Sequence, residues 1–445
     1  MTNADDFATF DFDFPRARKA LLRWFETNGR RFPWRDNPTP YRVLVSEIML
    51  QQTTTKTVLG YFERFLQRFP DARALAAASE EETLKYWEGL GYYRRAKSLR
   101  AAACEITTRW DGNMPGSYEE IASLPGVGRY TTGAILSFGF NKRGPILEAN
   151  TTRLHARLLG LREEITSAPA LRTLWRFAEA WLPRETKRAS YRQLNGALTD
   201  LGSVVCVPND PLCERCPLSN FCVADRLSIQ ALVPVLKKKE PPIQRTDVAL
   251  IVSRGDLKGA SNVLEFEEPR RSTLDPQTDV LLALRPRDAL WSGLWDFPRF
   301  EITNPLFFDA LDLSDDFNLA ERVQFFLEEE AGATVDDYAV GRALATLRHS
   351  VTKYRVTLRV CQPTRPAIDW ARPKERLLFD LKDVAASNAR AQGGARRESS
   401  ETLELRRQSS ELRWTPLDAL ERLPLSSPSR RVARLLWKIY LARRV

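Results

Sequence analysis

Four cysteines crowded into one short loop constrain this chain more than any other feature of its sequence. The loop contains Cys206, Cys213, Cys216 and Cys222, spaced C-x6-C-x2-C-x5-C. Four thiolates at such spacing indicate ligation of a metal ion or an iron–sulfur cluster rather than disulfide formation in a cytosolic chain. Zinc stays open as the alternative, although zinc sites usually combine two close pairs and only one pair here is that close. Cys104 and Cys361 stand alone and are predicted to be buried thiols.

Length and composition bound the class of protein. At 445 residues the chain is long enough for two or three domains, and 43% apolar with 28% charged residues is typical of globular proteins. No apolar run approaches the ~20 residues that span a bilayer. The acidic N-terminus does not resemble a secretory signal, so we expect a cytoplasmic, nucleoid-associated protein.

The charge balance and the scarcity of histidine restrict the chemistry. A net charge of +10 moderately favours a polyanionic partner such as nucleic acid. The chain has only two histidines, His155 and His349. A histidine-centred triad or a multi-histidine metal site is therefore strongly disfavoured.

A glycine-rich turn between two apolar segments is the second motif. Residues 124–131 read LPGVGRYT, with Gly126 and Gly128 in the turn. Such a turn can leave backbone N–H groups unpaired at the start of the next helix, where they suit a phosphate oxygen. The alternative interpretation is an ordinary helix–turn–helix within a helical core.

A carboxylate stands inside an apolar helical run. Glu47 lies within YRVLVSEIMLQQT, residues 41–53. Apolar surroundings disfavour the charged form of a carboxyl group and raise its pKa, which is what a general acid requires. The alternative is a glutamate on the exposed side of an amphipathic helix. Gln51, Gln52 and Thr53 follow, with uncharged donors and acceptors suited to base edges.

A second carboxylate, Glu148, directly precedes a predicted helix that starts near Asn150 or Thr151, either of which can serve as its N-cap. Glu148 can act as the second carboxylate of a glycosyl-transfer site, stabilising positive charge on a sugar. Alternatively, it only favours the start of the helix.

Two basic segments carry aromatic residues. Residues 30–35 read RRFPWR, a pattern that can pair with phosphates while a ring such as Trp34 stacks on a base. Residues 89–97 read GLGYYRRAK, where Leu90 or Tyr92 could wedge into a base stack. A structural loop is the alternative for each segment.

Together and in this order, the motifs resemble the helix-hairpin-helix DNA glycosylases of the endonuclease III-like superfamily, and within them the MutY-type adenine glycosylases. The resemblance covers residues 15–228 densely and the remainder loosely. It implies a mainly α, two-lobed glycosylase domain with a 4Fe–4S loop at 206–222. It also implies a monomer that acts on double-stranded DNA with adenine opposite 8-oxoguanine or guanine, and that flips the target base into a cleft.

The resemblance also implies roles for single residues. Glu47 would protonate the leaving adenine, and Glu148, Tyr130 and Asn150 would complete the catalytic set. Tyr130 stands where strand-cleaving relatives carry a Schiff-base lysine, which implies base removal without efficient strand cleavage. The implied DNA-binding residues are Arg31, Trp34, Gln52, Thr53, Leu90, Tyr92, Gly126, Gly128 and Thr352.

Two positions depart from the pattern of the family. Glu148 replaces its usual aspartate, which displaces the charge by about one ångström or more, a scale to which catalysis is sensitive. Gly196 follows Asn195 where the family usually has Gln or Glu. Two alternatives therefore stay open: a relative specific for thymine or damaged pyrimidines, and a non-catalytic iron–sulfur DNA-binding protein.

The C-terminal part predicts a separate α+β domain. After a tail over residues 1–14 and the glycosylase domain over 15–228, a linker over 229–245 ends in KKKEPP. Strands are predicted at 248–252, 280–284 and 354–360, with helices at about 318–331 and 429–442. Residues 246–445 resemble the Nudix-like domain by which the family reads 8-oxoguanine, although the acidic run that holds Mg²⁺ in Nudix hydrolases is incomplete. Residues 386–412 have no apolar period and are predicted to be a disordered insertion.

Overall fold

The computed structural model describes residues 10–184, 190–237, 240–254, 279–285, 291–302, 313, 317–330, 340–363 and 411–442. The chain divides into two compact units, Met1–Glu240 and Pro241–Val445. Across the described ranges, no helix has the length and apolar character needed to cross a membrane.

The N-terminal unit is built from helices joined by short turns. A π-helical turn, Ile135–Gly139, continues the ninth helix, and short 3₁₀ turns (Cys213–Arg215 and Ser219–Phe221) lie in the cysteine loop. The α-helices are α1 Phe14–Asn28, α2 Pro33–Asp36, α3 Pro40–Leu50, α4 Thr55–Arg68, α5 Ala72–Ala77, α6 Glu80–Trp87, α7 Arg94–Trp110, α8 Tyr118–Ala122, α9 Arg129–Ala134, α10 Ala149–Leu159, α11 Ala168–Ala180, α12 Tyr191–Val204 and α13 Val223–Arg226.

Capping residues set where helices α3 and α12 begin. Thr39 caps α3 by accepting a hydrogen bond from the backbone of Arg42, and Pro40 occupies the first helical position. Ser190 caps α12 in the same way. Both α3 and α12 pack against the Ile135–Gly139 turn, and α12 also packs against α1 and α10. Packing against the Ile135–Gly139 turn therefore holds α3 and α12 close to each other.

Aromatic residues at the N-terminal edge of the described chain belong to the core. The rings of Phe10 and Phe12 lie 5.2 Å and 5.1 Å from the ring of Phe177, and Phe12 also lies 5.5 Å from Trp181. The prediction of a tail over residues 1–14 thus differs from the structure at its C-terminal end, because burial of the phenylalanines holds this segment on α11. Residues 1–9 of that prediction lie outside the described residues.

The C-terminal unit combines two sheets with helices. The strands are β1 Ile243–Leu250, β2 Ser253–Arg254, β3 Asp279–Leu284, β4 Trp295–Asp296, β5 Arg299–Glu301, β6 Val340–Val351, β7 Tyr354–Pro363 and β8 Leu412–Pro416. The helices are α14 Phe317–Phe325, which continues as a π turn Phe326–Glu330, and α15 Ser427–Ala442. One sheet has the strand order β5-β1-β7-β6, with β1 and β7 parallel, and in the other β3 pairs with β2, β4 and β8.

Alternating residues of β1 bury against two different cores. Val248 and Leu250 pack with Leu319 of α14, whereas Ala249 packs with Val432 of α15. This alternation follows from the two-residue period of a strand and explains why an unbroken apolar run forms a central strand here. The predicted α+β composition agrees with the structure, although β1 starts at Ile243, inside the predicted linker. Of the predicted insertion at 386–412, residues 386–410 lie outside the described residues.

Candidate active site

Glu47 is a buried carboxylate at the wall of a cavity. It lies on α3, a helix buried almost all the way from Tyr41 to Met49, and is only 6% exposed. The hydroxyl of Tyr130 donates a hydrogen bond to Glu47 Oε2 at 2.8 Å. Burial raises the pKa of Glu47 to about 7, while the bond from Tyr130 and the charge of Arg35 oppose that rise. The exposed-face alternative for Glu47 does not agree with this structure.

Glu148 is the N-cap of α10 and lies near Glu47. Its Oε1 accepts from the backbone N–H of Thr151 at 2.9 Å, and its Oε2 accepts from the backbone N–H of Asn150 at 2.8 Å and from the Asn150 amide at 3.1 Å. Burial raises the pKa of Glu148, and these bonds oppose that rise. The prediction of Asn150 or Thr151 as the cap is wrong, because the carboxylate of Glu148 reaches both backbone donors itself.

The cavity has a volume of about 480 Å³. Glu47 and Tyr130 line it from α3 and α9, and Gly196 and Thr199 line it from α12. Glu148 is not among the lining residues, but its charge is close enough to raise the pKa of Glu47. The site therefore combines a protonatable carboxyl at the cavity wall with a second carboxylate behind it.

Asp200 fastens the RRFPWR segment to α12. This aspartate is fully buried and accepts from Arg30 and Arg35 at 2.8 Å each. Trp34, predicted to stack on a base, is only 6% exposed and lies parallel to Phe32 at 4.9 Å. Arg31 is exposed at the cavity and pairs with Asp36. Asp200 was not recognised from the sequence, since one acidic residue in a helix gives no distinctive signal.

Arg95 connects the Gln51–Thr53 segment to the GLGYYRRAK segment, both of which were predicted to contact bases. It is buried and donates to the carbonyls of Met49, Leu90 and Gly91 at 2.8 to 3.1 Å, and to the hydroxyl of Thr53 at 3.1 Å. Arg95 was not predicted as a site residue. The signal that could have found it is its position on the apolar face of α7, four residues before the buried Leu99.

Of the residues in these two segments that were predicted to contact bases, Leu90 is not exposed. Gln52 is exposed, and Tyr92 is 48% exposed at a turn where its own φ is +47°. Leu90 is only 5% exposed, because its segment is drawn inward by Arg95 and Trp87. In this structure Tyr92, and not Leu90, is the side chain that a base stack could meet.

The LPGVGRYT turn connects α8 and α9. Gly126 has φ +77°, and a Cβ there would lie 2.6 Å from Cβ of Ser98, so both the conformation and the packing require glycine. Gly128 precedes α9 with open space around it and no side-chain cap. The first backbone N–H groups of α9 therefore lack a partner within their own helix.

The four clustered cysteines line one small cavity together with Arg157 and Gln230. Arg157 donates to Cys206 Sγ at 3.4 Å, and Gln230 donates to Cys213 Sγ at 3.8 Å. Burial raises the pKa of Cys216 to about 12 and that of Cys222 to about 11. Within the described ranges, no three His, Cys, Asp or Glu side chains are grouped closely enough to hold a single metal ion.

Thr352 lies in the C-terminal unit. It is exposed in the turn between β6 and β7, with φ +49°. Its hydroxyl is therefore accessible to a ligand of that unit.

Comparison with known proteins gives consistent matches. Residues 45–180 match the HhH-GPD superfamily of base excision DNA repair proteins. The chain is 34% identical over 282 residues to the adenine DNA glycosylase of Buchnera aphidicola subsp. Schizaphis graminum, covering 63% of this chain and 74% of that protein. It is 37% identical to the same enzyme of the subspecies Acyrthosiphon pisum, covering 63% and 73%. A thymine-DNA glycosylase of Aeropyrum pernix is 32% identical over 208 residues, covering 46% of this chain and 92% of that protein.

Proposed function

Because this chain belongs to the adenine DNA glycosylases, within the helix-hairpin-helix superfamily of base excision repair proteins, we propose how its own residues carry out that reaction. The proposed reaction is hydrolysis of the N-glycosidic bond of adenine opposite 8-oxoguanine or guanine in duplex DNA. The observation that carries the proposal is Glu47, a carboxyl with a pKa of about 7 in the wall of a cavity of about 480 Å³. A cavity of this size is large enough for an extruded base.

The proposed mechanism assigns one task to each carboxyl group. Protonated Glu47 gives its proton to a ring nitrogen of the extruded adenine, the C1′–N bond breaks, and adenine leaves neutral. Positive charge develops on the sugar, and the ionised carboxylate of Glu148 stabilises it. Hydrogen bonds from the Asn150 and Thr151 backbone favour that ionised form of Glu148. Water then adds to C1′ and returns a proton to Glu47.

Tyr130 supports a reaction that stops at the abasic site. A phenol cannot form the Schiff base through which an amine would cleave the strand. Its hydrogen bond to Glu47 assigns it instead to orienting the acid. Because Tyr130 donates to Oε2, the proton that Glu47 transfers is assigned to the other carboxyl oxygen, Oε1.

We further propose that Cys206, Cys213, Cys216 and Cys222 hold a 4Fe–4S cluster. The residues fit this group, since four thiols surround one cavity and two of the sulfurs accept hydrogen bonds from Arg157 and Gln230. A cluster, with its own irons and sulfides, keeps its four cysteine sulfurs apart, unlike a single ion. When bound, it would stabilise the loop by joining its four cysteines through their thiolates.

The proposed organisation is a glycosylase domain within Met1–Glu240, followed from Pro241 by a Nudix-like domain that reads 8-oxoguanine. The exposed hydroxyl of Thr352 supports a contact to the opposing base. Arg31, Gln52, Thr53 and Tyr92, with the turn at Gly126 and Gly128, are proposed to contact the DNA, whereas the buried side chains of Trp34 and Leu90 are proposed to support this surface from the core. We propose that the protein acts as a monomer.

The test is single-turnover base release from matched duplexes with A opposite 8-oxoguanine, A opposite guanine, and T opposite guanine. We expect adenine release, fastest opposite 8-oxoguanine, with strand breaks appearing only after alkali. Release of thymine in preference to adenine would support the activity named for the Aeropyrum relative and overturn the adenine proposal.

A second test, with the variant Glu47→Gln, distinguishes an enzyme from a protein that only binds DNA. Glu47→Gln keeps the shape of the side chain and an acceptor for Tyr130 but removes the proton. We expect loss of base release by a factor of at least about 10², with DNA affinity retained. Base release by Glu47→Gln at the native rate would exclude Glu47 as the acid.

A further inference from the structure

Thr199 buries a hydroxyl in the wall of the cavity that also contains Glu47. It lies on α12 and its Oγ1 is shielded from solvent without a hydrogen-bond partner. A threonine inside a helix commonly donates to the carbonyl four residues earlier. Thr107 of α7 does so, at 2.8 Å from the oxygen of Ala103. Thr199 makes no such bond, so its hydroxyl can form a hydrogen bond with a ligand in the cavity.

The other buried polar groups of the cavity are already engaged. Tyr130 donates to Glu47, Ser46 donates to the carbonyl of Val43 at 3.0 Å, and Arg35 is held by Asp200. Among the described side chains that line the cavity, Thr199 alone buries a polar atom without a partner. An unpaired buried hydroxyl is costly, so a ligand that forms a hydrogen bond with Thr199 would be bound more favourably than one that does not.

Gly196 and Phe25 bound the cavity beside Thr199. Gly196 lies three residues before Thr199, on the same face of α12, and contributes no side chain. A Cβ at Gly196 would lie 3.1 Å from Cζ of Phe25, so the phenylalanine ring bounds the cavity there. An apolar ring beside a single polar group is a typical arrangement for orienting a base.

We propose that Thr199 is a specificity-determining residue whose hydroxyl hydrogen-bonds to the amine-bearing edge of the extruded adenine. This inference rests on the proposed function. A hydroxyl oxygen can accept a hydrogen bond from the exocyclic amine of adenine. Thr199 acts from α12 while Glu47 acts from α3, so the base is held by one helix and protonated from another.

The test compares Thr199→Val, which removes only the hydroxyl, with Thr199→Ser, which keeps it. The substrates are duplexes with adenine or with purine, which lacks the amine, opposite guanine. We expect Thr199→Val to release adenine about 5-fold more slowly than the native protein, the usual net effect of one hydrogen bond. Thr199→Ser should stay within about 2-fold. The native protein and Thr199→Val should release purine at the same rate.

Thr107→Val is the matched control, since it removes a helical threonine hydroxyl far from the cavity lining and should change neither rate. Unchanged adenine release by Thr199→Val, or an equal loss on adenine and purine, would overturn the role of Thr199 while leaving the proposed function intact. Absence of adenine release by the native protein would overturn both proposals.

Discussion

The hydroxyl of Tyr130 lies 2.8 Å from Glu47 Oε2 and donates to it, although 83 residues separate the two in sequence. This bond favours the ionised carboxylate, whereas burial of Glu47 favours the protonated acid, and burial prevails. Tyr130 follows Gly128 at the start of α9, so the turn that is suited to a phosphate also orients the acid. The proposed contact with DNA and the positioning of the proton donor would thus be coupled through one turn.

The rate of base release should fall at alkaline pH. The pKa of Glu47 is raised from 4.5 to about 7, so the acid is protonated below that pH and loses its proton above it. Single-turnover rates should therefore decrease about tenfold per pH unit above about 7. Measured from pH 5.5 to 9 in buffers of matched ionic strength, a rate that keeps rising through pH 9 would contradict the role of Glu47.

In Tyr130→Phe, the decrease in the rate of base release at alkaline pH should begin at a higher pH. Removing the hydroxyl removes a hydrogen bond that lowers the pKa of Glu47, so the carboxyl keeps its proton to a higher pH. At pH 6.5 the rate should still fall several-fold, because the acid loses its orientation. Tyr41→Phe is the control, since its buried hydroxyl bonds only the carbonyl of Phe69 at 3.1 Å. A decrease that begins at the same pH in Tyr130→Phe would show that the bond does not govern the acid.

Asp200→Asn should destabilise the protein. The variant leaves Arg30 and Arg35 beside a neutral amide in a buried position, and breaking a buried ion pair commonly costs about 3–5 kcal/mol. Glu82→Gln is the control, because its pair with Arg68 is accessible to solvent on both sides, unlike the fully buried Asp200, and such a pair is worth less than about 1 kcal/mol. Urea unfolding of both variants gives the comparison, and equal losses would mean that Asp200 is not a structural anchor.

The sequence predicted the parts of the site that depend on local pattern. An apolar helix around Glu47 and a glycine turn before Tyr130 are visible in residues that are neighbours in the chain. Burial of Leu90 was missed because it depends on contacts made in the folded chain. Capping of α10 by Glu148 was missed for a different reason: its partners lie only two and three residues away, but Asn150 and Thr151 are themselves suitable capping residues. Asp200 contacts Arg30 from 170 residues away, and Arg95 reaches back 46 residues to Met49. No window of sequence contains both partners of such contacts, so periodicity and composition cannot indicate them.

Cys216→Ser should remove the proposed cluster and unfold its surroundings. Cys216 lines the cavity with the other three cysteines and packs beside the core of α10 and α11. Iron and acid-labile sulfide, measured chemically, should approach four of each per native chain and fall sharply in the variant. Stability should fall as well, because the loop that contacts Arg157 loses the bonds that fix it. Cys104→Ser is the control, since Cys104 lies on α7 and should leave iron content and stability nearly unchanged. Stoichiometric zinc without iron in the native protein would contradict the cluster and favour a zinc site in the same loop.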